Sequence, residues 1–227
     1  MKILIAGIIL MICSIKAECQ VANVHDATGS PIRVSKYDKV EGTPYIDDGK
    51  WNSGVVVTQT DQYLSDLKIR YNAFEDELQY LNNGNPFYYN NQDIKSFEFS
   101  VVDNLGNEER FFFKNGYEYA DKVTKKNFVR VLFEGKNITV FDQIEVLKQK
   151  VIPASYGESE YDKFIQVSNT YLLKNGSVSE LKLRKGPIVK AFPKLKNQLS
   201  SYMKENVIDY NSSRDVANLF QFIDKNM

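Results

Sequence analysis

Leu67-Lys68-Ile69-Arg70-Tyr71 alternates apolar and charged side chains, one residue at a time. A strand sends successive side chains to opposite faces, so this stretch reads as a half-buried β-strand with one wet face. The same period-two pattern recurs in Phe97, Phe99 and Val101 between Ser96, Glu98 and Ser100. It recurs again in Val129, Val131 and Phe133 around Arg130 and Glu134. Between these runs stand Asp48-Gly49, Asn83-Gly84, Asn115-Gly116 and Asn175-Gly176. Such dipeptides tolerate positive φ, which tight hairpin turns demand, and they predict a turn at each place. Short strands joined this way favour antiparallel pairing over parallel βαβ units with their long helical crossovers. About nine or ten strands are expected between residues 54 and 184.

Past Gly186-Pro187 the period changes. Proline suits the first turn of a helix. After Pro193, residues Leu195, Leu199, Tyr202 and Met203 fall at helical spacing. Ser212 or Ser213 is placed to cap a last helix whose apolar stripe is Val216, Leu219, Phe220 and Ile223. Helices this short are marginal alone. They are expected to dock on the sheet through Leu199, Tyr202, Leu219 and Phe220. The fold class is therefore mainly β (α+β): an antiparallel meander or sandwich, or an open barrel, followed by a small C-terminal helical segment. No repeat of the solenoid or propeller kind is present.

The amino terminus reads as a signal peptide over residues 1–19. Lys2 supplies the positive start, and Ile3 to Ile15 is apolar apart from Gly7 and Ser14. That run is short of the roughly 20 residues a membrane-spanning helix needs, but it has the length of a signal core. A buried terminal strand or core helix is the competing reading. Cleavage after Ala17 or after Cys19 both fit. Lipid anchoring through Cys13 or Cys19 calls for a small preceding residue, whereas Ile12 and Glu18 stand there. Cys13 and Cys19 are the two cysteines, so the mature chain has no internal disulfide to form. About 200 remaining residues bury roughly 70% of their surface on folding, enough for a core without such staples. Residues 20–45, with Gly29-Ser30-Pro31 and Gly42-Thr43-Pro44 as breakers, read as an extended lead segment. Residues 46–185 form the β-rich body and residues 186–227 the docked helical tail.

The chain carries 29 Lys and Arg against 29 Asp and Glu, a balance that gives no footprint for nucleic acid. No further apolar run is long enough to span a membrane. Its single histidine, His25, sits in the lead segment with nothing beside it to orient it. Triads and zinc centres usually need a held histidine or cysteine, so no catalytic, metal or cofactor residue is assigned. Glu75-Asp76-Glu77 is the densest acidic group. Read as a strand, Glu75 and Glu77 share a solvated face with Gln79, and Asp76 points awkwardly with the apolar set. Asp47-Asp48-Gly49 lacks the spacing and closing glutamate of a calcium loop and reads as a hairpin turn. The Lys122-Lys125-Lys126 and Lys182-Arg184-Lys185 groups read as solvated faces. Asn137, Asn175 and Asn211 begin glycosylation-type triplets, meaningful only in a glycosylating host.

Aromatic residues stand out: 14 Tyr, 14 Phe and one Trp. Phe87-Tyr88-Tyr89 and Phe111-Phe112-Phe113 place rings on both faces of their strands, so Tyr88 and Phe112 need cover from the tail, another layer or a partner. Strands favour aromatics in any case. Exposed rings also suit contact with protein or carbohydrate.

Gly42-Thr43-Pro44-Tyr45, Trp51, Gly54 and Leu67-Lys68-Ile69-Arg70-Tyr71-Asn72 form one familiar stretch. Val189-Lys190-Ala191-Phe192-Pro193 and Tyr202-Met203-Lys204-Glu205-Asn206 form another. Together they resemble a broad group of uncharacterised exported bacterial proteins with a signal peptide, a β body and a short helical end. The resemblance implies fold and compartment, secreted or periplasmic in the cell envelope, and no activity. The expected function is a non-catalytic binding or structural module whose partner is a protein, a glycan or a lipid-like ligand, with Tyr88 and Phe112 as its contact residues. A carrier of an apolar ligand and a carboxylate-based hydrolase are the alternatives.

Overall fold

The computed structural model describes residues 30–31, 37, 39–102, 106, 108–119, 122–153 and 159–227. The expected signal peptide, Cys13, Cys19 and His25 lie outside the described residues.

Among the described residues ten strands carry the body: β3 (Asn52–Thr58), β4 (Tyr63–Asn72), β5 (Glu77–Asn82), β6 (Asn85–Tyr88), β7 (Ile94–Val102), β8 (Glu108–Lys114), β9 (Val129–Glu134), β10 (Ile138–Val151), β11 (Tyr161–Lys174) and β12 (Ser177–Glu180). Two short strands precede them, β1 (Ser30–Pro31) and β2 (Val40–Glu41). Among the described residues all belong to one open sheet, ordered β1-β6-β5-β4-β3-β7-β8-β9-β10-β11-β12, with β2 beside β11. The β3–β6 meander runs one way from β3, and β7–β12 run the other. Every pairing is antiparallel except that of β2 with β11.

The alternation read in β4 holds: Leu67, Ile69 and Tyr71 are buried, whereas Lys68 is exposed and Arg70 half-buried. Two of the four turn dipeptides close tight hairpins. Asn83 and Gly84 have φ of 50° and 78° between β5 and β6, and Asn175 and Gly176 have φ of 52° and 74° between β11 and β12. The other two do not. Asp48-Gly49 turns the chain into β3, which does not pair with β2, and Asn115-Gly116 opens the long connection from β8 to β9.

The sheet coils so that its two halves meet. Val146 N–H of β10 donates to the Ala73 carbonyl, 3.3 Å away, in the β4–β5 turn. Ile144, Val146 and Phe164 thereby join Ile69, Tyr71, Leu78 and Phe97 in the larger core. Stacked rings knit this core, with Phe97 and Phe113 4.8 Å apart.

Helices α1 (Lys185–Ala191), α2 (Lys196–Glu205) and α3 (Ser213–Lys225) follow. Ser212 caps α3, its hydroxyl accepting from Asp215 N–H at 3.3 Å. Val216, Leu219, Phe220 and Ile223 are all buried, packed with Leu199 against Ile138, Val140 and Leu172 of the sheet. Tyr202 packs against the same cluster from its edge and stacks on Phe222 of α3 with centroids 4.2 Å apart.

A polar clamp completes the docking. Asp224 accepts hydrogen bonds from Lys136, Asn137 and Ile138 N–H at 3.0, 2.7 and 3.1 Å. Gly135 is needed there, because a Cβ would lie 2.6 Å from the Asp224 carboxylate. Asp224→Ala should cost about 1–3 kcal/mol, the scale of leaving such donors without their charged acceptor. A denaturant midpoint unchanged from wild type would show the clamp to be idle.

Candidate functional site

On the outer face of β4 and β5 an arginine is held between two rings. The Arg70 guanidinium lies 4.1 Å from the Tyr45 ring centroid and 4.2 Å from that of Trp51. Its Nε donates to Gln79 Oε1 at 2.9 Å. Gln79 stands directly opposite Arg70 in the ladder and opposite Tyr88 on its other side. Gln79 is 2% exposed, so this is no solvated face as the alternation suggested. Arg70 on one neighbouring strand and Tyr88 on the other flank it.

Of the acidic group, Glu75 and Asp76 lie in a turn and only Glu77 in a strand. Residues 73–76 form the β4–β5 turn, and β5 begins at Glu77. Asn72 Oδ1 starts the turn by accepting from Phe74 and Glu75 N–H at 3.1 and 3.2 Å, an Asx turn readable in principle from sequence. Asp76 takes the left-handed conformation, φ 55°, which removes the awkwardness of pointing it with the apolar set. Its carboxylate accepts from Tyr71 OH at 2.5 Å, Asn127 Nδ2 at 2.9 Å and Phe128 N–H at 3.3 Å. Burial holds the Asp76 carboxyl above the ordinary carboxylate range, while these three donors pull it back. The same burial pushes the Tyr71 hydroxyl well up, reinforced by Asp76. Asp76 thus fastens the β4–β5 turn to the loop before β9.

Beside this turn opens a cleft of about 540 Å³. Glu75, Asp76 and Glu77 line one part and Asn90, Asn91 and Gln92 another, with Tyr88, Tyr89 and Lys126 completing it. Tyr88 is half-buried, whereas Tyr89 is 3% exposed and stacks on Tyr80 at 4.2 Å. Asn91 is tied to the turn through a hydrogen bond from its Nδ2 to the Asp76 carbonyl. The Tyr89 hydroxyl and Asn91 Oδ1 are buried with no hydrogen-bond partner among the described residues. Burial raises the Tyr89 pKa. Tyr37 crosses from the lead segment to donate its hydroxyl to Glu75 Oε1 at 2.8 Å. The turn therefore brings together Tyr88 and the acidic group, which sequence reading treated separately.

Phe112 lies elsewhere. Phe111 and Phe113 turn to the core side, and half-buried Phe112 faces outward, opposite Glu98. It lines a groove of about 470 Å³ with Val131 and Phe133 of β9 and Arg214 and Ala217 of α3. Part of its cover is therefore the helical tail.

No family model, no curated protein and no solved structure matches this chain. Among the described residues no helix is long and apolar enough to cross a membrane, and no group of three or more acidic, histidine or cysteine side chains is arranged to hold a metal ion.

Proposed function

We propose that this protein is an exported, non-catalytic binding module whose ligand is a glycan taken up in the Tyr88 cleft. Export rests on the amino-terminal sequence, Lys2 followed by the apolar run to Ile15. The observation that supports the ligand class is the make-up of the cleft. A half-exposed Tyr88 ring stands among the planar amides of Asn90 and Gln92 and the carboxylates of Glu75 and Glu77. A ring face suits the C–H side of a sugar, while amides and carboxylates suit its hydroxyls. A lipid-like ligand finds little apolar lining there.

With Asp76 held by three donors, the carboxylate nearest the core serves the turn, which favours binding over hydrolysis. Tyr88→Ser should weaken retention on neutral polysaccharide gels about ten-fold, equivalent to roughly 1.4 kcal/mol, as loss of a central aromatic contact does. The melting temperature should move by less than about 4 °C. Collapse of the melting temperature would make Tyr88 a core residue and remove the support for a ligand at this place.

A further inference from the structure

Strands β10 and β11 pair through all 14 residues of each, far beyond the rest of the sheet. On its other side β10 meets β9 only from Thr139 to Asp142. One further backbone bond follows, from Val146 N–H to the Ala73 carbonyl. In an antiparallel strand alternate residues aim their N–H and C=O to the same side. The outward bond at Val146 therefore places those of Lys148 and Lys150 on the outer edge. They have no backbone partner among the described residues. This is an open strand edge, the usual template for adding an extended segment.

The two faces of the ribbon beside that edge differ. Leu147, Val151, Ile165 and Tyr161 share one face by the β10–β11 register, with the Gln149–Lys163 pair between them. Leu147 and Tyr161 are 42% and 38% exposed, and Val151 and Ile165 are half-buried. Lys148 and Lys150 occupy the other face, where they reach Asp162 and Glu160 at 3.3 and 2.8 Å while staying largely in water. The ribbon already accepts a strand on its opposite edge, where β2 lies parallel to Asp162 and Lys163.

We propose that the Leu147–Val151 edge of β10 binds a partner protein by strand addition, through an extended segment that alternates apolar and acidic residues. Side chains of the added strand that lie opposite Leu147 and Val151 meet the apolar stripe. Those opposite Lys148 and Lys150 meet ammonium groups, so carboxylates fit there. A second copy of this chain is the poorer occupant. Symmetric antiparallel pairing of β10 with itself sets lysine against lysine, and like charges directly opposite are destabilising. This surface is separate from the Tyr88 cleft and does not depend on the ligand proposed for it.

The test uses the full mature chain and a synthetic peptide, acetyl-Val-Thr-Val-Glu-Val-Glu-Val-amide, whose two carboxylates have the spacing of Lys148 and Lys150, with a twin carrying Lys in place of Glu. The acidic peptide should bind about ten-fold or more tighter than its basic twin, the size of two cross-strand charge pairs reversed. Lys150→Pro removes an outward N–H that has no backbone partner among the described residues, a change that edge strands tolerate. It should preserve the circular dichroism spectrum and lower affinity for the acidic peptide about ten-fold or more. Lys148→Gln with Lys150→Gln, which leaves the backbone edge intact, should retain binding and lose the preference between the peptides. Equal binding of both peptides by the wild type, or unchanged binding by Lys150→Pro, would overturn the proposal. So would a concentration-dependent dimer abolished by Lys150→Pro, which would make a second copy the occupant.

Discussion

A chain cut after Gly186 should be lost to aggregation rather than persist as a folded monomer. The cut removes α1, α2 and α3, and with them the cover over Ile138, Val140 and Leu172, each 3% exposed or less in the intact fold. It also deletes Asp224, leaving the Lys136, Asn137 and Ile138 N–H groups without their acceptor. Burying a large aliphatic or aromatic side chain is worth about 1.5–3 kcal/mol. Several such losses together match the whole stability of a domain, about 5–15 kcal/mol. A single substitution grades the same effect. Phe220→Ala, at a fully buried position whose ring meets Phe192 edge-on, should cost about 3–5 kcal/mol. Dye binding to exposed apolar surface and sedimentation of the truncated chain give the readout. A soluble monomer with native circular dichroism would show that the β sheet does not need its tail.

The second large effect is expected at Asp76. Asp76→Ala deletes the acceptor of three hydrogen bonds and strands the buried Tyr71 hydroxyl. Hydrogen bonds to a charged group carry about 1.5–3 kcal/mol each, and the donors left behind bear their own desolvation cost. The three bonds share one carboxylate and do not add, so a total loss of about 3–5 kcal/mol is expected. Asp76→Asn is no rescue, because an amide nitrogen would face Asn127 Nδ2, donor against donor.

The pH dependence has a defined sign. A carboxyl whose folded pKa is raised contributes stability that is fully present below the unfolded value and is lost as pH rises through the folded value. Asp76 is raised by burial, and so is Asp142, where Thr170 OH and Arg130 oppose the rise. Wild-type stability should therefore carry a component that falls as pH climbs out of the carboxylate range. Asp76→Ala should flatten that component without abolishing it, Asp142 supplying the remainder. Urea titrations across that pH range that show an unchanged slope in the variant would contradict the assignment.

Where alternation is local, the chain was readable. Leu67, Ile69 and Tyr71 fall on the core face of β4, and Val216, Leu219, Phe220 and Ile223 on that of α3, because each element repeats its own short period. The acidic group was misread for a related reason. Phe74 to Leu78 continues a plausible period of two, and the preference of Asn72 for starting a turn was the weaker signal against it. Of the proposed contact residues, the sequence identified Tyr88 and Phe112 as rings on a second face. It did not join Tyr88 to Glu75, Asp76 and Glu77, nor set Phe112 against α3.

By itself, then, the sequence determined the antiparallel β character, the tight turns at Asn83-Gly84 and Asn175-Gly176, and the helical stripe of the tail. Only the tertiary structure decided what each face meets. The Asp76 carboxylate is held from Asn127, 51 residues on, and Asp224 returns to Asn137 across 87 residues. Periodicity within a segment records which side of it is apolar. The coil of the sheet settles whether that side, or the other, finds a neighbour, and the Tyr88 cleft and the open edge of β10 exist only at that level.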